Sequence, residues 1–394
     1  METLRKNIGF IAATLSMLMA FAASATPIPL YDVYRRAEGL TYNDLSLTAV
    51  VYFIGAISAL LFFGRISDHL GRKPVTLLAF ALSAVASFIL LRVDSATPLI
   101  VARLLLGLSC GLASSAIAAY VVDSAPPSLS WLSAVIVGNA PMVGLTLGAL
   151  ASGALVEYGP YPKMLCYVIV LIETAVVCVL ILTGRETVKR KPGLAASLRP
   201  AFSMPQADRR LFPIAACLFL ATWALGGFFQ AYGPSIAADQ LGSRSTLTAA
   251  VVFSSFLLPS AIGGPLTARF SPAKAQRIGI VIFTLALGGI ILAVKMSMIT
   301  SFLIMSAIAG AAQGVALTGS IRSLLDGVAS YNRAGILSLL YATAYTGAAV
   351  TSFLAGQLSK FLNLYQLVLC YGGLAAVACV ITLIFAREPR ECRA

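Results

Sequence analysis

Few residues in this chain could do chemistry, and most of them sit where a charge is costly. Arg103, Asp32, Asp123 and Glu173 fall within long apolar runs or at their ends. An ionisable group at membrane depth is expensive, so it marks a proton relay, a charge pair or a ligand contact. One ten-residue segment is dense in charge and glycine: Gly64-Arg65-Ile66-Ser67-Asp68-His69-Leu70-Gly71-Arg72-Lys73. Gly107-Leu108-Ser109-Cys110-Gly111 has the form G-x-S-x-G. A nucleophile elbow, however, needs a strand-turn-helix setting and a histidine partner. This match lies inside an apolar run, and the only histidine is His69 on a polar loop. The chain has no H-E-x-x-H zinc motif and no G-x-x-x-x-G-K-[ST] phosphate loop. The chemistry on offer is the holding of charge and the movement of protons. No cofactor, metal site or enzyme activity is expected.

The elements that position these groups follow from composition. Of 394 residues, 59% are hydrophobic and 11% charged, and the mean hydropathy is +0.91. Soluble domains carry about 25% charged residues, so this chain cannot cover a water-facing surface. Disorder, a disulfide scaffold and a soluble enzyme are excluded. A membrane β-barrel would alternate apolar and polar residues in segments of about ten. Here the apolar runs are continuous, and a spanning helix needs about 20 such residues. Twelve runs qualify, over 8–30, 45–63, 74–92, 97–120, 131–156, 164–184, 212–236, 246–269, 277–294, 299–321, 334–358 and 364–386. The expected fold class is all-α integral membrane, with twelve transmembrane helices.

The net charge of +13 does not point to nucleic acid, because the basic residues lie in loops between spans. The positive-inside rule explains them. With the N-terminus in the cytoplasm, 20 of the 28 Lys and Arg residues face inward, 7 face outward, and Arg103 stays in the membrane. Both termini are then cytoplasmic. Arg5 and Lys6 followed by an apolar run and Ala23-Ser24-Ala25 imitate a secretory signal. Cleavage there would leave eleven spans, and the run is read as the first span instead. Of seven cysteines, only Cys392 lies outside the apolar runs, and no C-x-x-C occurs. They read as small hydrophobes.

The longest polar stretch, 185–210, contains Pro192, Pro200 and Pro205 and divides the spans six and six. The expected organisation is a six-helix bundle over 1–184, a cytoplasmic linker over 185–211 and a second six-helix bundle over 212–394. Parallel six-helix repeats are a known transporter plan. Span four reads Arg103-x3-Gly107-x3-Gly111, and span ten reads Ser306-x3-Gly310-x3-Gly314. Glycines at this spacing let helices approach closely. The halves match in packing, but only the first keeps the charge.

The segment Gly64 to Lys73 resembles the signature loop between helices two and three of the major facilitator superfamily, G-x-x-x-D-[RK]-x-G-[RK]-[RK]. Gly64, Asp68, Gly71, Arg72 and Lys73 match; His69 departs from the usual basic residue. The resemblance implies two pseudo-symmetric bundles, usually working as a monomer. It also implies a gating role for this loop: the acid at the Asp68 position meets the N-terminus of helix eleven, where the helix dipole favours negative charge. A plain positive-inside loop would explain Arg72 and Lys73, but not Asp68 or the glycine spacing. Arg103 resembles the family's proton-coupling or substrate-contact arginine; the simpler alternative is an arginine snorkelling to the outer interface. In the family an acid at the Asp123 position joins a charge network with the signature loop; a solvated helix end is the alternative.

Span five, with Gly138, Asn139, Ala140, Pro141, Gly144 and Gly148, is similar to the family's helix-five antiporter motif, G-P-x-x-G. Ala140 replaces the glycine before Pro141. The motif implies efflux by exchange, while a packing role needs only the glycines and the proline bend. Glu173, in the middle of span six, is a candidate proton relay, although helix six is peripheral in this family. Asp32 follows Pro27-x-Pro29 on span one, which lines the family's cavity, and is either a coupling acid or an interfacial cap facing water. Tyr52, Asn139, Trp223, Gln230, Tyr232, Gln313, Tyr341 and Tyr345 could line a pocket for an amphipathic organic molecule. Each could instead join helices or sit at an interface.

The expected partners are a small-molecule substrate, protons and the lipid bilayer, in a bacterial inner membrane. The leading expectation is a proton-driven exporter of amphipathic compounds or drugs. An uptake symporter or facilitator for a sugar, organic acid or other metabolite is the alternative. Anion uptake would favour several cationic groups, and only Arg103 is placed, which tilts the reading toward neutral or cationic substrates.

Overall fold

A computed structural model describes residues 2–126, 130–188, 192, 198, 211–267, 269–326, 328 and 330–387, with side chains for all of these except 2–7, 130–131 and 330–334. Most of the linker expected over 185–211 lies outside the described residues, as do Arg390, Cys392 and Arg393. So do the side chains of Arg5, Lys6 and Arg333.

Twelve helices among the described residues are long and apolar enough to cross a membrane, and the protein is a multi-pass membrane protein. They are α1 (Ile8–Ala37), α2 (Tyr42–Phe63), α3 (Arg72–Leu90), α4 (Ala96–Ser124), α5 (Leu132–Tyr158), α6 (Leu165–Thr183), α7 (Phe212–Asp239), α8 (Thr246–Leu266), α9 (Pro272–Lys295), α10 (Ile299–Leu325), α11 (Gly335–Leu358) and α12 (Leu364–Phe385). No strand occurs among the described residues. Hydrocarbon offers backbone groups no partner, so each segment must satisfy its own hydrogen bonds and coils into a helix.

Several helices run past the apolar stretch that announces them. Polarity ends a run at the membrane boundary, but the hydrogen-bond ladder continues until something stops it. The largest departure from expectation is in α1, whose apolar run ends near Leu30. Pro27 and Pro29 break the helix without ending it. A 3-10 turn over Ile28–Leu30 follows the helix Glu2–Ala25, and a second helix, Tyr31–Ala37, continues from it. Proline suits such a restart because the first turn has no use for its missing N–H. Asp32 in the first turn and Arg35 and Arg36 in the last suit the helix dipole. Reciprocal caps start other helices: Thr41 with Asp44 at α2, and Asn363 with Gln366 at α12. A five-residue π-turn, Ala113–Ile117, interrupts α4.

The chain divides into two compact units, Met1–Pro200 and Ala201–Ala394. Within the first, α4 packs on α2 and α3, α1 on α5 and α6, and α3 on α6. Within the second, α10 packs on α8 and α9, α7 on α11 and α12, and α9 on α12. One packing plan is therefore used twice, six helices apart. Glycines make a close crossing at the same place in each half. A Cβ at Gly107 would stand 2.1 Å from the Tyr52 carbonyl oxygen, and one at Gly310 would stand 2.0 Å from that of Phe256. Gly111 faces the Ala56 carbonyl and Gly314 the Ser260 carbonyl in the same way.

The six described cysteines, Cys110, Cys166, Cys178, Cys217, Cys370 and Cys379, form no disulfide. Cys110 and Cys166 are buried, whereas Cys370 is exposed on α12.

Candidate functional site

Two constellations form within the first unit. The deeper one is centred on Arg103, whose side chain is 0% exposed. It therefore does not snorkel to an interface. Its Nη1 donates to the Ser24 carbonyl at 2.6 Å, in the last turn of α1 before the proline break. Its guanidinium carbon lies 4.3 Å from the centre of the Tyr52 ring on α2, a cation–π arrangement that is strongest when desolvated. The Nε and Nη2 hydrogens find no partner among the described residues. Cys110, two turns along α4, donates toward the Ala20 carbonyl at 3.6 Å. Three helices thus hold one buried positive charge, and three of its five N–H donors have no partner among the described residues. No ion pair to Arg103 occurs among the described residues.

The second constellation joins the signature loop to the C-terminal ends of α4 and α6. Ser67–Leu70 forms a single helical turn. Arg72 connects three side chains: its Nη1 donates to Asp68 at 2.5 Å and to Ser67 at 2.6 Å, and its Nε to Asp123 at 2.9 Å. The loop and Asp123 are therefore brought together. The Lys73 ammonium donates to the carbonyls of Leu182 and Gly184 at 2.9 and 2.8 Å, capping the end of α6, where a cation suits the dipole. The His69 Nδ1 lies 3.1 Å from the Pro192 carbonyl. Gly64 closes α2, where a Cβ would meet the Leu60 carbonyl at 2.4 Å.

Glu186, which the sequence did not single out, holds this corner together. Its two carboxylate oxygens accept the Arg72 and Lys73 backbone N–H groups at 2.9 and 3.0 Å, capping the first turn of α3. Its Oε1 also accepts the N–H groups of Thr187 and Val188. Gly71 completes the fit. Its φ of +103° favours glycine, and a Cβ there would stand 2.7 Å from a Glu186 oxygen. The available sequence signal was an acid directly after span six, at the head of a basic stretch.

The remaining candidates separate. Asp32 is buried, and its carboxylate is held by its own helix: Arg35 at 2.7 Å on one oxygen and Arg36 at 2.7 Å on the other. It is thus an ion-paired acid within the bundle and not a cap facing water. Glu173 is half-buried on α6, beside the exposed Ile172 and Val176, and makes no hydrogen bond or ion pair among the described residues.

In α5, Pro141 lies inside the helix. Gly144 and Gly148 seat that helix on α1, where their Cβ atoms would stand 2.5 and 2.0 Å from the Leu18 and Ala22 carbonyls. Gly138 has nothing within 4 Å of such an atom, so it is no part of that packing face. The Asn139 amide turns back to the Val135 carbonyl on its own helix.

In the second unit three pocket candidates converge. Trp223 on α7 meets the α11 rings of Tyr341 at 6.1 Å and Tyr345 at 4.8 Å, edge to face. The buried Trp223 Nε1 has no acceptor among the described residues. Tyr232 is fully buried against Phe228, which in turn packs on Tyr371. Gln230 and Gln313 are also buried, and the Gln313 side-chain oxygen lacks a donor among the described residues.

The comparisons with known proteins agree with this architecture. The multidrug resistance protein MdtL of Klebsiella pneumoniae is 30% identical over 104 residues, 26% of each chain. The arabinose-proton symporter of Bacillus subtilis is 25% identical over 181 residues, 42% of this chain and 36% of that one. The quinolone resistance protein NorA of Staphylococcus aureus is 24% identical over 126 residues, 31% of this chain and 32% of that one. The matched segments thus span about a quarter to a third of these relatives. The fold extends further: the xylose transporter XylE from E. coli superposes with a TM-score of 0.74 over 99% of both chains, at 16% identity. The family model of the Major Facilitator Superfamily matches residues 12–297. With twelve spans, a twice-used packing plan and a knitted signature loop, the chain belongs to the major facilitator superfamily, whose members are membrane carriers of small molecules and not enzymes.

Proposed function

We propose that the protein exports small amphipathic organic compounds in exchange for protons, by alternating access. The observation that carries this reading is the wholly buried Arg103, held by α1, α2 and α4 beside the break in α1. Discontinuous helices and charges at membrane depth are the usual marks of a carrier site. The direction rests on the helix-five sequence around Pro141 and on relatives named for multidrug and quinolone resistance. In this reading the loop around Asp68 is the cytoplasmic gate, Glu173 or Asp32 carries the proton, and Trp223, Tyr341 and Tyr345 offer aromatic surface to the substrate. The protein is a monomer in a bacterial inner membrane with both termini in the cytoplasm, as the distribution of basic residues supports. Its two bundles, 1–184 and 212–394, are joined by the cytoplasmic linker.

Uptake by proton symport is the second reading, favoured by the match to the arabinose-proton symporter. One experiment separates the two. Purified protein is reconstituted into vesicles with an imposed inside-acid gradient, and a pH dye is followed while lipophilic cations, neutral antibiotics, sugars and organic acids are added outside. Exchange predicts that an amphipathic compound dissipates the gradient and accumulates inside. Sugar-dependent proton movement in the same direction as the sugar would establish symport. No response across the panel would favour a carrier of one narrow metabolite, or uptake without protons, over the exporter reading.

A further inference from the structure

We infer that the free edge of Arg103 is a carboxylate-binding fork, and that the compounds this carrier recognises include amphipathic molecules bearing one carboxylate. A guanidinium presents its Nε–H and one terminal N–H side by side along one edge, at the spacing of two carboxylate oxygens. In Arg103 that edge is Nε with Nη2, and both lack a partner among the described residues, while Nη1 is anchored on the Ser24 carbonyl. The Tyr52 ring covers one face of the cation and supplies no negative charge.

A buried charge is tolerated when it is paired, and no acid among the described residues of this unit pairs with it. Asp32, the buried acid of α1, is occupied by Arg35 and Arg36. Asp68 and Asp123 are drawn to Arg72 in the signature loop.

A second observation points to a ligand. Ser24 immediately precedes the broken stretch of α1, and Arg103 lies on the helix that carries the π-turn Ala113–Ile117. Irregular backbone inside a spanning helix accompanies ligand sites in carriers. The repeated unit supplies the contrast. Matched through their glycines, Arg103 corresponds to Ser306 and Tyr52 to Phe256, so the fork exists once, in the first unit. One guanidinium matches one carboxylate, which suits an amphipathic monoanion and not a polyanion. Arg103 is sealed in this conformation, so the carboxylate enters when α1 or α2 moves during transport.

The inference rests on the carrier reading, but it is tested without flux. Full-length protein in lipid nanodiscs is titrated with benzoate and 4-phenylbutyrate, with their uncharged amides, and with chloride, and the thermal midpoint is recorded. The expected result is saturable stabilisation by at least one carboxylate, none by its amide or by chloride, and a loss of affinity of at least tenfold in Arg103→Lys. That variant keeps the charge but not the fork, and its elution profile reports whether it folds. Absence of stabilisation by either carboxylate overturns the inference. So does equal stabilisation by the amides or by chloride, or unchanged affinity in a folded Arg103→Lys. Proton exchange with neutral or cationic compounds, without carboxylate binding, would leave the carrier reading intact and remove only this inference.

Discussion

The Arg103 guanidinium lies 4.3 Å from the centre of the Tyr52 ring, and it does so because Gly107, one turn along α4, leaves room for the Tyr52 backbone. A Cβ at Gly107 would stand 2.1 Å from the Tyr52 carbonyl oxygen. The close crossing of α2 and α4 and the placement of the cation are therefore one feature. Tyr52→Phe keeps the ring and is expected to keep both the fold and the cation contact. Tyr52→Ala removes the ring and a cation–π contact worth about 2 kcal/mol when desolvated, and leaves a cavity costing roughly 3–5 kcal/mol. The check is the thermal midpoint of the two variants in detergent. A Tyr52→Ala protein as stable as Tyr52→Phe would show that the ring does not support Arg103.

Gly107→Ala tests the crossing itself. The added methyl cannot avoid the Tyr52 carbonyl without separating α2 from α4, and overpacking of this kind costs about 1–3 kcal/mol. Gly138→Ala is the matched control, since nothing stands within 4 Å of its Cβ position, and alanine gains about 1 kcal/mol over glycine in helix propensity. The expected order of stability in urea or thermal unfolding is Gly138→Ala at or above the native protein, with Gly107→Ala well below. The reverse order would contradict the packing.

Some of this was legible in the residues and some was not. Twelve spans could be read because a bilayer demands about 20 apolar residues whatever they later touch. The glycine pairs of α4 and α10 were visible because close helix crossings need small residues at fixed spacing. Arg103 was conspicuous as a charge in an apolar run, but its partners were hidden: the Ser24 carbonyl comes from a helix 79 residues earlier, and any residue type offers a carbonyl. Glu186 was passed over for the same reason, since the N–H groups it caps belong to residues more than a hundred positions away. The continuation of α1 past Pro29 was missed because prolines stop a helix from the sequence viewpoint, yet fit a restarted first turn.

Glu186→Ala is expected to loosen the signature loop without unfolding the protein. Losing a side-chain cap costs about 0.5–2 kcal/mol, and here it frees the backbone amides of Arg72 and Lys73. Hydrogen exchange at those amides should accelerate by about tenfold, whereas amides in the middle of α3 should not change. Glu186→Gln keeps one acceptor oxygen and should fall between. Uniform acceleration along α3 would instead indicate general destabilisation.

Asp68→Asn is expected to leave folding intact and slow turnover. The carboxylate is 51% exposed, and its partner Arg72 remains bound to Asp123. An exposed pair contributes roughly 0–1 kcal/mol, so the thermal midpoint should hardly move. A gate that depends on this charge would nonetheless lose about tenfold in rate, which corresponds to about 1.4 kcal/mol in the barrier. Counterflow measured at saturating substrate separates the two quantities. Normal rates in a folded Asp68→Asn protein would remove the gating role.

The two candidate proton carriers differ in what protonation would cost them. Adding a proton to Asp32 weakens its pairing with Arg35 and Arg36 and leaves two cations at the end of α1. Glu173 has no such partner among the described residues, so it can change charge without dismantling a pair. A group that loads and releases a proton in every cycle is better served by the second arrangement. Glu173→Gln is therefore expected to abolish compound-driven proton flux while substrate exchange between equal concentrations persists, because exchange needs no net proton movement. Asp32→Asn is expected to reduce coupling together with stability, since Arg35 and Arg36 lose their counter-ion. Both variants are read in the same vesicle assay, by the ratio of proton to substrate movement. If both retain the native ratio, neither carboxylate carries the proton.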